Sequence, residues 1–389
     1  MFEGKLGLKR LGLAAALALA SIAFAHGQTN QVCGMPAKLD DGWPIVAPDD
    51  AGLDGKRLCT IEQRLNLTDS DIHAVVIARH GKLAFEQYFA GIDQPWGKPE
   101  ARYDYDATTL HDMRSATKSV TSLLVGIAID RRMIRSVNTR VVSFFPELSD
   151  LKTQGWENVR LRHLLTMSSG IKWDEALPWS DPDNDEPHLA FDADPLRYVL
   201  SKPIAVPPDA MWVYNGGGTE LLGAIIERTS GQPLEAFARE FFFSRLDMTD
   251  FEWKTYRNGK IAAAAGLRLR PRDAAKIGQL LLSDGAWNGR QVIPPDWIMQ
   301  SVIPRFQAVG YFGGTLFYGY QWWMGRSLAE GKEVRWIAAF GWGGQRIFVI
   351  PELDMVVMMT SGLFGRPKEG LAQLDILANV IIPSAREKP

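Results

Sequence analysis

Residues 113–131 have the sequence MRSATKSVTSLLVGIAIDR, which predicts a helix that begins close to Ser115. The large apolar residues recur at the spacing of one helical face, at Val120, Leu123, Leu124 and Ile127. Ser115 and Lys118 are three positions apart, so their side chains share a face and the ammonium group can reach the hydroxyl. A helix N-terminus also offers free N–H groups and the positive end of the helix dipole. The stretch is therefore typical of a core helix that presents a nucleophilic serine.

The Ser-x-x-Lys pattern is weak by itself, because it also begins at Ser149 and at Ser169. Ser149 falls in a short polar connection, and Ser169 is followed at once by the turn residue Gly170. Only the pattern at Ser115 opens an amphipathic helix, and even there a helix cap with a surface lysine explains the local sequence equally well. If Lys118 is instead held among apolar side chains, burial should lower its pKa and let it relay a proton.

The regions around this helix predict strands at both ends of the chain and helices between them. Strand-like runs cover residues 72–78 and 82–89, joined by a turn at His80-Gly81, and residues 335–340, 345–350 and 355–360. Further helices are predicted at residues 219–229, 271–284 and 368–381. We expect an α/β fold of the α+β type, with an antiparallel sheet built from both termini, flanked by helices, and an inserted helical region. The predicted sheet domain comprises residues 26–110 and 265–389, and the mainly helical region comprises residues 111–264.

Composition and missing motifs exclude several classes of function. Hydrophobic residues make up 46% of the chain and charged residues 23%, as in an ordinary globular protein. The net charge is −2 and no basic block stands out, which argues against a nucleic-acid partner. No two histidines have the His-x-x-x-His spacing, so neither a metal site nor a cofactor is expected. The Gly-x-Ser-x-Gly elbow of α/β-hydrolases is also missing.

The first 25 residues are typical of a secretory signal peptide. Three cationic residues precede an apolar run that ends in Ala23-Phe24-Ala25, a small-x-small cleavage pattern. We expect cleavage before His26, export to the periplasm or the medium, and no stable membrane insertion afterwards. An uncleaved membrane anchor is the alternative, although the run is shorter than the roughly 20 residues of a spanning helix.

Two other regions each allow more than one interpretation. Cys33 and Cys59 are the only cysteines, and in an oxidising compartment they can form a disulfide, although two separate buried thiols fit equally well. Seven prolines and several acidic residues between Pro178 and Pro208 predict a long solvated loop. Its acidic residues lack the glycine and distal glutamate of an EF-hand, so a calcium site is not expected.

Three further segments follow residues 113–120 in a recognisable order. They are Leu161–Gly170 (LRHLLTMSSG), Tyr214-Asn215-Gly216 with Leu221-Leu222-Gly223 after it, and Phe340–Gln345 (FGWGGQ). Together these segments resemble the serine β-lactamase and penicillin-binding-protein superfamily. The resemblance is to its class C β-lactamase-like members, and is closest to the branch that contains 6-aminohexanoate-dimer hydrolases and carboxylesterases. The chain is therefore expected to be an exported serine hydrolase that acts on small esters or linear amides.

The resemblance implies a role for each matching residue. Ser115 would form the acyl-enzyme, Lys118 would polarise its hydroxyl, and Tyr214 would shuttle protons. The alternative for Tyr214 is a packed core residue, and a nearby lysine should make its phenolate easier to form. The backbone N–H groups of Ser115 and Gln345 would form the oxyanion hole. The substrate would contact four residues of the later motifs, Gly216, Trp342, Gly343 and Gly344.

Two positions depart from the superfamily pattern. Gly216 replaces an asparagine of the second motif, and Trp342 replaces the cationic or imidazole residue of the third. Both changes should favour uncharged substrates over anionic β-lactams, unless Arg346 supplies the missing charge. A β-lactamase or D-alanyl carboxypeptidase is the alternative enzyme, and a catalytically silent cell-wall-binding protein is the alternative of another class. The sequence makes no prediction of the oligomeric state.

Overall fold

The computed structural model describes residues 33–68, 70–151, 155–366 and 369–386. The predicted signal peptide, residues 1–25, lies outside the described residues. Fifteen strands occur in the described part of the chain: β1 (Ile72–Arg79), β2 (Lys82–Tyr88), β3 (Gly91–Asp93), β4 (Ala101–Tyr103), β5 (His111–Asp112), β6 (Phe251–Trp253), β7 (Leu267–Leu269), β8 (Ala286–Trp287), β9 (Arg290–Gln291), β10 (Phe306–Gln307), β11 (Phe317–Tyr318), β12 (Trp323–Ala329), β13 (Lys332–Gly341), β14 (Gln345–Ile350) and β15 (Met355–Ser361).

The same residues contain twelve α-helices: α1 (Gly55–Leu58), α2 (Ile61–Thr68), α3 (Thr117–Asp130), α4 (Leu161–Leu165), α5 (Glu186–Phe191), α6 (Pro195–Ser201), α7 (Gly216–Ser230), α8 (Leu234–Phe241), α9 (Pro271–Leu282), α10 (Pro295–Ser301), α11 (Leu371–Ile376) and α12 (Ile382–Ser384). A π-helical turn, Leu377–Ile381, joins the last two. No helix of the described residues is long and apolar enough to cross a membrane.

The central sheet has eight strands in the order β10-β11-β12-β13-β14-β15-β1-β2, and every neighbouring pair is antiparallel. The N-terminal hairpin therefore extends a sheet that is otherwise built from the C-terminal third of the chain. Ile77 of β1 lies opposite Val357 of β15. The expected antiparallel sheet built from both termini is confirmed.

Each face of the sheet packs against its own hydrophobic core. Val76 and Ala78 of β1 contribute to the core shared with α3, α7 and α9, whereas Val75 and Ile77 point into the core beneath the terminal helices. This alternation follows from the two-residue period of a strand. Helix α9 lies so close to the sheet that a Cβ at Gly278 would be 2.6 Å from a methyl group of Val356. Both faces of the sheet are thus covered by helices.

Helix α3 runs through the interior and not along a surface. Every residue from Thr117 to Ala128 is buried. The helix therefore packs on all its faces, whereas the sequence predicted that a single apolar face is buried. Its buried hydroxyl groups donate to backbone carbonyl groups of other segments. The pairs are Ser119 with Gln321 at 2.6 Å, Thr121 with Ala263 at 2.7 Å, and Ser122 with Tyr320 at 2.8 Å. These bonds satisfy the polar groups that burial would otherwise leave unpaired.

The predicted long loop between Pro178 and Pro208 is partly wrong, because it contains helices α5 and α6. Proline opens both helices, at positions where its missing N–H costs little, and so it marks helix starts here. Burial of Leu189 and Val199 holds the two helices against the core. The domain boundaries proposed at residues 110/111 and 264/265 stay predictions, since the small sheet of β5, β7 and β6 includes residues from both sides of them.

Cys33 and Cys59 form a disulfide that closes a segment with a sequence separation of 26 residues. Replacing both by serine should lower the free energy of unfolding by about 3 kcal/mol, because the unfolded chain gains the entropy of an open loop. Urea denaturation of the double variant and of the wild type measures this difference. Hydrolytic activity at 25 °C should not change, since neither residue lines the cavity described below. A loss below about 1 kcal/mol would contradict the prediction.

Candidate active site

The structure brings Ser115, Lys118 and Tyr214 together. Ser115 lies in the 3-10 turn Arg114–Ala116 that leads into α3, so Lys118 follows it on the first turn of the helix. The Nζ atom of Lys118 donates to Ser115 Oγ at 2.9 Å and lies 3.3 Å from the carbonyl oxygen of Ala264. The Tyr214 hydroxyl interacts electrostatically with Ser115 and Lys118, and Lys118 Nζ lies 4.9 Å from the centre of the Tyr214 ring. Ser169, a second Ser-x-x-Lys serine, does not line the cavity next to this cluster.

Tyr214 is positioned by the start of α7 and by aromatic packing. Asn215 caps the helix, and its side chain accepts a hydrogen bond from the Gly218 N–H at 2.8 Å. The Tyr214 ring stacks on Trp323 with centroids 5.7 Å apart and lies 5.3 Å from the Tyr311 ring. Tyr214 is therefore a packed aromatic residue, as one interpretation had it, and its hydroxyl nevertheless reaches the serine.

The protonation states differ from the sequence-based expectation. Burial lowers the pKa of Lys118, but its interactions with Tyr214, Glu175 and Glu186 together act more strongly, and the pKa is raised above its usual value. Burial also raises the pKa of Tyr214, and the ammonium of Lys118 does not reverse this effect. The expectation of a lowered lysine pKa is wrong. Lys118 does lower the pKa of Tyr214, as expected, but burial outweighs this effect. At neutral pH the resting site holds an ammonium group and a neutral phenol.

A cavity of about 760 Å³ opens in front of Ser115. Ser115 and Tyr214 lie in its wall together with the exposed indole of Trp342. The remaining wall is rich in aromatic side chains, which include Trp96, Trp179, Phe191, Tyr256 and Tyr311. Its volume is suitable for a small organic substrate.

Of the four predicted substrate contacts, only Trp342 lines this cavity. Gly216, Gly343 and Gly344 are buried. The N–H of Gly216 donates to Glu175 Oε2 at 2.6 Å, and a Cβ at Gly216 would lie 3.1 Å from that oxygen. The carboxylate of Glu175 thus occupies the space beside the position where the superfamily has an asparagine. Gly216 itself does not line the cavity, whereas Glu175, which accepts its N–H, does.

The two predicted oxyanion donors, the backbone N–H groups of Ser115 and Gln345, differ in their position relative to the cavity. Ser115 lines the cavity, whereas Gln345 is buried and pairs with Gly341 in the sheet. Among the described residues, no group accepts a hydrogen bond from the backbone N–H of Ser115 or of Trp342. The role of the Gln345 N–H stays a prediction, and the Trp342 N–H is a second candidate beside the cavity.

Arg346 does not supply a positive charge to the substrate. Its guanidinium is buried and donates to the carbonyl oxygens of Gly341 and Gln345 at 2.7 and 2.8 Å. Burial lowers the pKa of Arg346 to about 10. The cavity wall instead contains Arg114, which the sequence analysis missed. Arg114 is held by Asp112, with an N–O distance of 3.2 Å.

Two carboxyl groups of the cavity wall were also missed. Glu175 accepts hydrogen bonds from Trp173 Nε1 at 2.7 Å and from Gly216, while Glu186 stands at the start of α5. Burial and the neighbouring charge of Glu175 raise the pKa of Glu186 to about 7. Glu186 belongs to the acidic run that was interpreted as solvated. The alternation of acidic residues with Trp173 and Trp179 was the available signal for a wall of the site.

Among the described residues, one group of side chains could hold a metal ion, and it lies outside this cavity. It consists of His73, Asp93 and His111.

Glu220 supports the lysine from behind. Its buried carboxylate accepts hydrogen bonds from the N–H groups of Ala263 and Ala264, at 3.1 and 2.9 Å, and from the Tyr256 hydroxyl at 2.7 Å. Burial nevertheless raises the pKa of Glu220 to about 7. Because the carbonyl oxygen of Ala264 faces Lys118 Nζ, Glu220 fixes one of the groups that position the ammonium.

Glu220→Gln should lower kcat about tenfold and leave KM nearly unchanged. The amide cannot accept from both N–H groups, so the Ala264 carbonyl shifts and the lysine loses its alignment, at a cost of roughly 1–3 kcal/mol. Steady-state kinetics on a p-nitrophenyl ester measures both constants. The matched control is Glu227→Gln on the same helix, whose carboxylate also accepts a backbone N–H, that of Leu234, and does not line the cavity. Equal kcat and KM values in the two variants would show that Glu220 does not position Lys118.

Comparisons with known proteins agree with this geometry. The family model described as Beta-lactamase matches residues 72–380. A 6-aminohexanoate-dimer hydrolase of Paenarthrobacter ureafaciens is 25% identical over 321 residues, which cover 78% of this chain and 76% of that protein. Esterase EstB of Burkholderia gladioli is 28% identical over 191 residues, or 45% of each chain. The octameric penicillin-binding protein homologue from Pyrococcus abyssi has a similar fold, with a TM-score of 0.60 and 20% identity over 83% of this chain and 76% of that one. Because the family match spans most of the sequence, the protein belongs to the Beta-lactamase family, and the two relatives named above are hydrolases.

Proposed function

We propose that the protein is a serine hydrolase that cleaves neutral esters or small linear amides through an acyl-enzyme on Ser115. The observation that carries this proposal is the 2.9 Å hydrogen bond between Lys118 Nζ and Ser115 Oγ in the wall of a cavity that also contains Tyr214. The two relatives named a 6-aminohexanoate-dimer hydrolase and an esterase support the same class of reaction.

Acylation begins when Ser115 Oγ attacks the carbonyl carbon of the substrate. Since Tyr214 is a neutral phenol, its oxygen accepts the serine proton while its own proton passes to the leaving oxygen or nitrogen. The ammonium of Lys118 stays protonated and stabilises the negative charge that develops during this transfer. The N–H group of Ser115, with that of Gln345 or Trp342, binds the oxyanion. The products of this half-reaction are the acyl-serine ester and the protonated leaving group.

Deacylation reverses the roles with water as the nucleophile. Tyr214 accepts a proton from the attacking water and returns its own proton to Ser115 Oγ as the ester bond breaks. The acid product leaves, and the serine hydroxyl, the phenol and the ammonium are all restored. No proton is gained or lost by the three residues over the cycle.

The cavity wall favours uncharged substrates. Trp342, Trp96 and Tyr311 offer aromatic surface for an acyl or alcohol group. The carboxyl groups of Glu175 and Glu186 repel a substrate carboxylate, and Arg114 is already paired with Asp112. A β-lactamase or D-alanyl carboxypeptidase, whose substrates carry a carboxylate, is therefore the second candidate. The hydrogen-bonded serine, lysine and tyrosine argue against a catalytically silent binding protein.

Export is part of the proposal. The pattern of residues 1–25 supports it, and the Cys33–Cys59 disulfide is of the kind found in oxidising compartments.

Ser115→Ala should abolish ester hydrolysis and labelling by a fluorophosphonate probe, because no other serine has a lysine within hydrogen-bond distance in the cavity described. Intact-protein mass spectrometry detects the adduct. Tyr214→Phe keeps the nucleophile, so it should still be labelled, slowly, and lose on the order of 10²–10⁴ in kcat. The matched control is Ser169→Ala, which alters a second Ser-x-x-Lys serine outside the cavity and should retain full activity. A labelled and active Ser115→Ala protein would overturn the proposal.

Discrimination against an anionic substrate should increase as the pH rises through about 7. Below that pH Glu186 is protonated and neutral, and above it the carboxylate adds a negative charge to the wall. The ratio of kcat/KM for an anionic chromogenic cephalosporin to that for p-nitrophenyl butyrate should fall several-fold, on the order of 1 kcal/mol. The ratio cancels ionisations that affect both substrates equally.

Glu186→Gln should remove most of this pH dependence. Asp183→Asn is the matched control, because Asp183 is an exposed residue of the same segment that does not line the cavity. An unchanged ratio between about pH 5.5 and 8.5 in the wild type would show that Glu186 does not act on the substrate.

A further inference from the structure

We propose that His73, Asp93 and His111 form a binding site for one divalent metal ion, and that Zn²⁺ is the ion their chemistry fits best. One donor atom from each residue lies within 4.8 Å of the others. The three residues stand on separate strands, β1, β3 and β5. Two imidazoles and one carboxylate are a ligand set that zinc commonly takes. The proposal is independent of the hydrolytic function, because none of the three residues lines the cavity.

The hydrogen bonding of His73 prepares one of its ring nitrogens to bind a cation. The Nε2 atom lies 3.1 Å from the carbonyl oxygen of Ile92, and since a carbonyl only accepts, Nε2 carries the proton. The Nδ1 atom then has a free lone pair. It is fully buried and has no hydrogen-bond partner among the described residues. A histidine that donates one N–H to a backbone carbonyl and leaves the other nitrogen free has the arrangement of a metal ligand.

The distances leave room for an ion with little rearrangement. His73 Nδ1 and Asp93 Oδ2 are 3.9 Å apart, and an approach of about 0.6 Å would bring them to the separation of roughly 3.3 Å that two tetrahedral zinc bonds require. The rings of His73 and His111 have centroids 5.7 Å apart, and the Tyr105 ring covers both, at 4.4 and 4.2 Å. The two imidazoles therefore lie side by side beneath one aromatic ring. A donor nitrogen of His111 lies within 4.8 Å of the other two ligand atoms, so this ring also has to move towards the ion.

The charge of the cluster also favours a cation. Asp93 is held by the Tyr105 hydroxyl and by the N–H of Gln94, at 2.8 Å for the latter, so its oxygens keep a fixed orientation. The guanidinium groups of Arg114 and Arg268 stand nearby, but each is paired with Asp112, at 3.2 and 2.7 Å. Among the described residues, no lysine or arginine forms an ion pair with Asp93. Only the Nδ1 atom of His73 comes close, at 3.9 Å. A buried carboxylate without a cationic partner is costly, and a metal ion removes that cost.

A bound ion would fasten the cavity wall to the central sheet. The segment between Asp93 and His111 begins with Gln94, Pro95 and Trp96, which line the cavity. His111 is four residues before Ser115 in the sequence. The proposed role of the ion is therefore structural, since it would join β3 and β5 to β1.

The test uses the full chain after removal of metal with a chelator. Isothermal titration with Zn²⁺ should give one site per chain, with an increase in melting temperature on saturation. Co²⁺ should bind in its place and produce visible d–d absorption bands. Asp93→Asn, which preserves shape and the contact with Tyr105, and His111→Gln should each bind Zn²⁺ at least about tenfold more weakly and lose the Co²⁺ bands.

His80→Gln is the matched control, because His80 pairs with Asp354 at a half-exposed turn away from the cluster and should leave zinc binding unchanged. Circular dichroism of each variant separates loss of the site from loss of the fold. A wild-type protein that binds neither ion overturns the proposal. Equal zinc affinity in the wild type and in a folded Asp93→Asn protein also overturns it, because the ion would then be bound elsewhere.

Discussion

The charge of one lysine inside the protein is the constraint on which the site depends. Lys118 is 2% exposed and belongs to a helix that is buried on all sides, so its ammonium must find partners within the fold. It finds the Ser115 hydroxyl and the Ala264 carbonyl in contact, and carboxylates at longer range. Apart from Ser115, those partners come from segments that are far from Lys118 in the sequence. The packing of α3 against α7 and the sheet is therefore also what holds the nucleophile in position.

The same constraint explains the protonation pattern. A buried lysine among apolar groups would lose its proton readily, but here the surrounding negative charge keeps the proton in place. Tyr214 stays a neutral phenol for the complementary reason, because burial penalises its anion more than one ammonium compensates. The lysine then acts as a fixed positive charge, and the tyrosine acts by exchanging protons. Glu220 belongs to this arrangement, since it holds the carbonyl that faces the ammonium.

The proposed substrate preference depends on the side chains at one corner of the cavity. Where related enzymes present an asparagine amide, this chain has Gly216, and Glu175 reaches the backbone from another segment. A neutral hydrogen-bonding group is replaced by a carboxyl group, with Glu186 beside it. The proposed preference for uncharged substrates therefore rests on these two carboxyl groups as well as on Trp342. The proposed metal site lies behind the adjacent wall and would stabilise it without contact with the substrate.

The sequence alone determined the features that depend on local periodicity and ordered motifs. The hairpin of β1 and β2, the C-terminal strands, the helix after Ser115 and the choice of Ser115, Lys118 and Tyr214 all follow from such patterns. Only the tertiary structure decided the protonation states and the composition of the cavity wall, because both depend on charges brought together from distant segments. Glu186 was assigned to a solvated loop, Arg114 was missed, and His73, Asp93 and His111 escaped a search for ligand pairs on one helix. Glu186 and the three residues of the proposed metal site have partners that are remote in sequence, and a pattern of neighbouring residues contains no information about their distance in space.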